Sequence, residues 1–368
     1  MTVSELGERA LLARIQAKLG TAGRQRASLV IGIGDDAAIV APTRNAQMVL
    51  TTDALVEGVH FDRRYSAPED IGYRALAVNL SDVAAMGAAP AWALLSLVLP
   101  SDLLVSDVDA IVSGIADLGR QFGSEVIGGN VTRSPGPLIV DVTAVGEVRP
   151  RRVLTRSGGR PGDGLWVSGF IGAAAAGLEM LRSGVMPGLK PGPAGEQDGT
   201  LGPGKDSAGP GFSPGNDAVG SSSSQCIARY LRPEPRVRLG LAMAQAKAAR
   251  AAMDLSDGLA DAAHQIAAAS GCGVEIEADR LPIEPAARAW WEAAGKDAVL
   301  RALVGGDDYE LLFAVPRVWG GRLRQARSRV AEPALTRIGV LTQDPGVRVL
   351  LRSGTREPLP AGFEHFRC

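Results

Sequence analysis

Acidic residues recur in one setting along this chain. A Gly or a short polar residue stands beside an Asp at the edge of an apolar segment: Gly34-Asp35-Asp36, Thr51-Thr52-Asp53, Asn79-Leu80-Ser81-Asp82, Asp254-Leu255-Ser256-Asp257-Gly258 and Gly305-Gly306-Asp307-Asp308. Each Asp presents hard oxygens at an element end, where backbone can approach a ligand. Mg²⁺ takes such oxygens and usually completes its octahedron with water and substrate phosphates. Several such ions would hold a triphosphate beside a second anion and screen their repulsion. Any one segment taken alone reads first as a turn or a helix cap; five in one chain argue for a shared site. Asp82 is the sharpest case. Leu80 and Val83 beside it have the character of buried positions, and a carboxylate among buried neighbours needs a partner or a metal. The alternative places Asp82 on a solvated helix face.

Other segments are consistent with anion chemistry but weaker. Gly128-Gly129-Asn130 follows a strand-like run, Glu125–Ile127, and paired glycines let N–H groups approach phosphate oxygens; an ordinary strand-end turn fits equally. It is not a Walker A loop, because no Gly-Lys-Ser or Gly-Lys-Thr occurs in the chain. Arg156, in Leu154-Thr155-Arg156-Ser157-Gly158, can grip a phosphate bidentately or be one more surface arginine. The chain has 3 His, namely His60, His264 and His365, with no triad or zinc spacing among them. His60 stands seven residues after Asp53 and reads either as a contact to an anionic acceptor or as a structural histidine. Trp290-Trp291 reads as helix packing rather than a stacking site.

The elements that must position these residues follow from periodicity and punctuation. Helices are expected at Ser4–Leu19 with Ser4 as N-cap, at the segment from Ser66 to Gly87 with a Ser66/Glu69 capping box, and at Val105–Phe122. Further helices fall near Ala173–Leu181, Val237–Ala249, Leu259–Ser270 and Ala286–Ala294. Strands are expected at Ala37–Val40, Met48–Thr52, Trp92–Leu99, Glu125–Ile127, Leu138–Val145, Leu165–Ser168, Val274–Ile276, Tyr309–Val315, Leu335–Leu341 and Val347–Leu351. Both kinds alternate, so the class is α/β, mixed α and β. A basic, Gly/Pro-rich stretch near Pro150–Gly164 marks the expected boundary between residues 1–150 and 151–368. Ser183–Ser224 holds 11 Gly, 6 Pro and 7 Ser in 42 residues. It buries too little apolar surface to offset its chain entropy, and is expected to be a disordered insertion, with a lid or partner-binding segment as the alternative.

The 368 residues are 46% hydrophobic, enough for real cores. The net charge of −1 gives no electrostatic reason to expect nucleic acid or an anionic membrane as partner. No apolar run is long enough to cross a bilayer, and no apolar signal core is expected in Met1–Gly20, where Glu5, Glu8 and Arg9 interrupt any apolar run. Cys226, Cys272 and Cys368 are dispersed and odd in number, so neither a metal spacing nor a disulfide framework is expected, and a reducing cytoplasmic compartment is the default.

Taken in order, Gly32–Asp36, Thr51–Asp53, Ala77–Gly87, Asp254–Gly258 and Gly305–Leu311 resemble the motif series of the thiamine-monophosphate kinases. These belong to the superfamily of aminoimidazole-ribonucleotide-synthetase-like ATP enzymes. Leu154–Gly158 and the ending Gly362–Phe366 are similar to the kinase branch in particular. The resemblance implies two α/β domains and a homodimer whose N-terminal sheets join across the interface. It implies ATP as co-substrate, several Mg²⁺ ions, and direct in-line transfer to thiamine phosphate. It implies metal contacts from Asp36, Thr51, Thr52, Asp53, Asp82, Asn130, Asp254 and Asp257, and ATP contacts from Gly129, Asn130, Arg156 and Ser256. His60, Asp307 and Phe363 are implied for thiamine phosphate. Two residues depart from the pattern: the family usually has Asp where this chain has Asn130, and Glu where it has Asp307. No general base is expected, because a phosphate acceptor with a second pKa near ~6 is already largely anionic at neutral pH. Two other readings stand beside this one. A hydrogenase-maturation enzyme of the same superfamily would use a terminal cysteine such as Cys368. A non-catalytic metal or nucleotide module would bind without turnover, although the acids are not packed as in a calcium loop.

Overall fold

The computed structural model describes residues 1–20, 28–185 and 217–362, with side chains of 217–222 excepted. The first half runs α1 (Val3–Leu6), α2 (Glu8–Gly20), β1 (Leu29–Ile31), β2 (Ile39–Val40), β3 (Gln47–Val56), α3 (Pro68–Ala85), β4 (Ala89–Pro100), α4 (Val105–Phe122), β5 (Glu125–Ser134) and β6 (Ile139–Val148). The second half runs β7 (Gly164–Ser168), α5 (Ala173–Arg182), α6 (Asp217–Leu231), α7 (Val237–Ala246), β8 (Ala251–Asp254), α8 (Leu259–Ser270), β9 (Gly273–Glu277), α9 (Pro285–Ala293) and α10 (Ala298–Val304). It ends with β10 (Leu311–Val315), α11 (Gly320–Arg329), β11 (Leu335–Thr342), β12 (Val347–Leu350) and β13 (Arg356–Pro358). The principal sheets are a four-stranded one, order β3-β6-β4-β5, and a seven-stranded one, order β13-β12-β9-β11-β7-β10-β8.

Several local expectations give way to tertiary context. The N-terminal helix is broken: Thr2, not Ser4, caps α1 through a capping box with Glu5, Gly7 interrupts at φ 80°, and α2 restarts at Glu8. The Ser66/Glu69 box does not form. Ala67 is the N-cap of α3, Pro68 sets the first turn, and the Ser66 hydroxyl is buried without a partner. Strand β5 continues to Ser134, so Gly128-Gly129-Asn130 lies inside an edge strand rather than in a turn. Within Ser183–Ser224, Ser183 caps α5 and α6 already begins at Asp217, ahead of Ile227 where composition restores a core-like pattern. Cys226 and Ile227 are fully buried there, and that packing overrides the weak helix propensity of the preceding serines. Residues 186–216 and 363–368, including Phe363, His365 and Cys368, lie outside the described residues.

Helix α3 is the shared element of the two halves. One continuous core carries its Ile71, Leu76, Leu80 and Ala84 against Leu95 and Val142 of the first sheet, Ile111 and Ile115 of α4, and Leu239 and Met243 of α7. Leu311 and Phe313 of the second sheet belong to the same core. The crossing of α3 and α4 is close enough to require glycine on both sides. A Cβ at Gly72 would lie 1.9 Å from the Ile111 carbonyl oxygen, and one at Gly114 would lie 2.0 Å from that of Glu69. Backbone cannot yield as a flexible side chain does, so Gly72→Ala and Gly114→Ala should each lose about 2–3 kcal/mol by overpacking despite alanine's better helix propensity. Urea unfolding checks this; unchanged midpoints would mean that the crossing is looser than described.

Candidate active site

The site is assembled where α3 meets the middle of β3 and the end of β8. Thr51 and Asp53 alternate with Thr52 along β3, so their side chains leave opposite faces of the sheet. Thr51 turns toward α3 and donates its hydroxyl to Asp82 at 2.5 Å. Ser81, one residue earlier on α3, is buried and donates to Asp254 at the end of β8, at 2.8 Å. Asp82 is half-buried and faces these groups; the solvated-face alternative does not hold.

These carboxylates repel one another. Burial, followed by the charges of Asp82, Asp141 and Asp257, pushes the Asp53 carboxyl up to about 7. Burial and then the charge of Asp82 push Asp254 to about 7, against the opposing pull of the Ser81 hydroxyl and Arg156. Asp82 is also raised by burial, held back by Thr51 and Arg156. Arg156 is thus the arginine whose field reaches Asp82 and Asp254; its guanidinium donates to Gln265, which in turn donates to Asp261 at 2.5 Å. Among the described residues, no three carboxylate, thiolate or imidazole groups converge closely enough to coordinate an ion unaided. The carboxylate oxygens of Asp53, Asp82 and Asp254 are hard donors of the kind Mg²⁺ takes, one or two at a time, with water and phosphate oxygens completing its shell.

The sequence segments divide their labour more finely than their spelling suggests. Thr52 belongs to the other face of the sheet, accepting from Thr143 at 3.0 Å and lying 3.1 Å from Asp141. Asp141 was not anticipated; it sits in the alternating strand β6, where an acid two residues before Thr143 in an otherwise mostly apolar run was the available signal. Gly129 approaches β4 so closely that a Cβ would fall 1.8 Å from the Leu95 carbonyl oxygen. Asn130 pairs with Ser96, which pairs with Asp141, so the three share a row on the open face. Both Gly129 and Asn130 are exposed on edge strand β5, the far edge from Asp53. Asp36 lies in the exposed turn between β1 and β2, where its N–H bonds Asp35 at 2.8 Å; among the described residues no hydrogen bond or ion pair ties it to the Asp53 group.

The segment Gly305–Leu311 packs against Asp254–Gly258. Asp307 N–H donates to the Ser256 carbonyl at 2.7 Å and Tyr309 N–H to that of Leu255 at 3.1 Å. A Cβ on Gly306 would fall 2.6 Å from the Ser256 carbonyl oxygen. The three acids here have separate tasks. Asp307 ion-pairs with buried Arg74 of α3 at 2.8 Å. Asp308 is buried and accepts from the N–H groups of Gly172 and Ala174 at the start of α5, at 2.6 and 3.1 Å. Glu310 is buried against Arg236, Arg229 and the Ser168 hydroxyl. Only Asp307 stays half-exposed toward the site. His60 follows β3 and accepts from the Val56 N–H at Nδ1, at 3.1 Å. Trp291 is fully buried, as packing requires.

Two family models match this chain: the AIR synthase related protein N-terminal domain over residues 34–148 and the C-terminal domain over residues 209–352. The thiamine-monophosphate kinase of Escherichia coli (strain K12) is 36% identical over 363 residues, covering 98% of each chain. The chain belongs to the thiamine-monophosphate kinase family. It is therefore an enzyme of the kinase class with the mixed α/β, two-domain fold of that superfamily. A crystal structure of the thiamine-monophosphate kinase from Stenotrophomonas maltophilia K279a has a TM-score of 0.74 at 37% identity, covering 92% of this chain and 95% of its own. AaThiL complexed with AMPPCP and TMP has a TM-score of 0.69 at 34% identity, covering 100% and 99%. The hydrogenase maturation protein HypE, in complex with ATP, shares the fold at a TM-score of 0.72 and 17% identity, covering 97% and 96%. No described helix is long and apolar enough to cross a membrane.

The raised carboxyls have a consequence for the metal-free protein. Asp53, Asp254 and Asp308, each near 7 in the fold, keep protons that the unfolded chain releases near ~4. The folded state then binds more protons across that window, so stability is greatest at its acid end and is lost as pH rises through about 4 to 7. The melting temperature of chelator-treated protein should fall between pH 5.5 and pH 8, and excess Mg²⁺ should flatten that slope. A melting temperature that rises over this range would contradict the assignment.

Proposed function

We propose that this protein transfers the terminal phosphoryl group of ATP directly to thiamine phosphate, giving ADP and thiamine diphosphate, with Mg²⁺ held at the Asp53–Asp82–Asp254 group. The supporting observation is that group itself. Elements of both halves bring mutually repelling carboxylates together, opposed by the charge of Arg156 and by the Thr51 and Ser81 hydroxyls. Mg²⁺ bound there supplies positive charge between the carboxylates and the phosphates of two anionic substrates. Thr51 and Ser81 fix the orientations of Asp82 and Asp254, so that these carboxylates would hold an ion without reorganisation. Asp257 adds charge beside Asp53, and Asp36 would join from its turn. Arg156, Ser256 and Gly129 would hold ATP, the last through backbone exposed on β5. His60 and Asp307 would hold the acceptor.

In the transfer, an acceptor phosphate oxygen forms the new bond to the γ-phosphorus as the bond to the β–γ bridging oxygen breaks. ADP leaves with that electron pair. The attacking oxygen is already anionic, so no side chain need take a proton. The residues contribute alignment and charge compensation. AaThiL, which forms a complex with AMPPCP and TMP, supports a site for an ATP analogue and a second ligand in this fold.

The same reading includes a homodimer. Asp53 lies on β3 and Asn130 on β5, opposite edges of one four-stranded sheet. Three strand spacings separate them, about 14 Å, too far for both to hold one ion within a single copy. The open face between those edges carries exposed Leu50, Leu94 and Met48 at 65%, 41% and 41%. A second copy joined sheet to sheet would cover that face and bring its β5 beside β3.

Incubation with ATP, Mg²⁺ and thiamine phosphate, followed by chromatography, should show thiamine diphosphate and ADP formed in equal amounts. ATP hydrolysis without thiamine diphosphate would refute the reading. Asp82→Asn should cut kcat by roughly 10²-fold or more, with little change in melting temperature, since one charge leaves a site whose function is charge compensation. By sedimentation the protein should have twice its chain mass of 38.1 kDa. Leu50→Glu should convert it to single chains; a native protein that sediments as one chain would remove the dimer from the account.

A further inference from the structure

His60 and Asp307, the two of the three residues read as acceptor contacts that lie among the described residues, come from different halves of the chain. A single run of contacts joins them. Arg74 of α3 is buried, with 3% of its surface exposed. Its Nη2 donates to Asp307 Oδ1 at 2.8 Å and its Nη1 to the backbone carbonyl of Tyr230 at 2.7 Å. Its guanidinium carbon lies 4.3 Å from the centroid of the Tyr230 ring, within range of a cation–π contact. Tyr230, on α6, donates its hydroxyl to the backbone carbonyl of His60 at 3.1 Å. On the other side, Tyr309 donates to the same Asp307 Oδ1 at 3.3 Å. Asp307 and Tyr309 both adopt positive φ, 69° and 50°, a conformation that a tyrosine holds only when its surroundings impose it.

We propose that Arg74 and Tyr230 are positioning residues for the acceptor pocket. Neither is placed to touch substrate. Arg74 engages one oxygen of Asp307 from within the core, so the carboxylate's other oxygen is presented toward the half-exposed side. An aspartate here is too short to swing freely, and its direction is set by the guanidinium behind it. Tyr230 carries the same constraint to the loop holding His60, through its ring to Arg74 and its hydroxyl to the His60 carbonyl. The two acceptor contacts are thereby held at a defined separation by α3 and α6, while the carboxylates that serve ATP are oriented by Thr51 and Ser81. The device deepens the reading of the site given above and rests on it. It acts on acceptor binding and not on the nucleotide.

Tyr230→Phe removes one hydroxyl and keeps the ring, so it is the least disruptive test; Arg74→Lys and Arg74→Met complete the series. Full-length variants would be assayed for thiamine diphosphate formation with each substrate varied in turn. Thiamine phosphate binding would be measured separately by calorimetry without ATP. Tyr230→Phe should raise KM and the calorimetric Kd for thiamine phosphate about fivefold, with kcat and the KM for ATP within about twofold, the loss expected for one hydrogen bond. Arg74→Met should raise both acceptor constants by about 20-fold or more, because it leaves Asp307 without its charged partner and held only by the Tyr309 hydroxyl, and Arg74→Lys should recover part of that loss. Equal effects on both substrates, or a lower melting temperature with unchanged acceptor constants, would show that the pair only supports the fold. Wild-type protein that neither binds nor phosphorylates thiamine phosphate would overturn the underlying reading and this inference with it. Wild-type turnover with an unaltered Tyr230→Phe variant would overturn this inference alone.

Discussion

Helix α3 is enclosed on nearly every side, yet it carries Arg74, Asn79, Ser81 and Asp82. Groups of this kind cannot be taken from water without partners. Three of them are met by other elements, and those elements are thereby fixed. Arg74 is met by Asp307 and Tyr230, Ser81 by Asp254, Asp82 by Thr51. Asn79 donates to Ala75 within the helix at 3.0 Å, while its amide oxygen has no partner. The desolvation cost of Arg74, Ser81 and Asp82 on one helix thus ties β3, β8, α6 and the loop before β10 to a common frame. The apolar residues of α3 supply the favourable burial, and the paired glycines of the α3–α4 crossing let the helix sit deep enough for its polar positions to reach their partners.

The same helix separates two kinds of electrostatics. On one side, opposite charges are matched within the protein, as in Arg74 with Asp307. Further out, Arg236 and Arg229 surround Glu310. Breaking such buried pairs is costly because the remaining charge has no solvent. On the other side, Asp53, Asp82 and Asp254 are brought together with their charges uncompensated, apart from the field of Arg156. A fold selected for stability alone has no reason to gather like charges in this way. The arrangement is one that a cation and bound phosphates would complete, and the protein's raised carboxyl groups are the physical record of that demand.

Glycines at the site act through approach distance rather than flexibility. Gly306 lets the loop before β10 lie on the backbone of Ser256, and Gly129 lets β5 close on β4. In both places a carbonyl oxygen occupies the volume a side chain would need. At Gly306 the segments carrying Asp254, Asp257 and Asp307 are held at short range because no side chain separates the two backbones there.

Much of the scaffold was legible in one dimension. Helices at Val105–Phe122 and Leu259–Ser270 end at the residues their periodicity and glycine stops indicate, since those cues are local. The capping residue of α3 was not legible, because Pro68 and packing overrode the Ser66/Glu69 pattern. The start of α6 was not legible either, because its serines are held in a helix by contacts further along the chain. Among site residues, the sequence by itself determined which side chains carry oxygen chemistry and that they recur beside glycines, because residue type and local backbone freedom are properties of the chain. Only the tertiary structure decided which of them meet. It placed Thr51 and Asp53 on one face of β3 and Thr52 on the other. It separated Asp307, Asp308 and Glu310 into three unrelated environments, and it added Asp141, Arg74 and Tyr230. Strand alternation and cross-sheet register set those contacts, and both depend on partners far away in sequence.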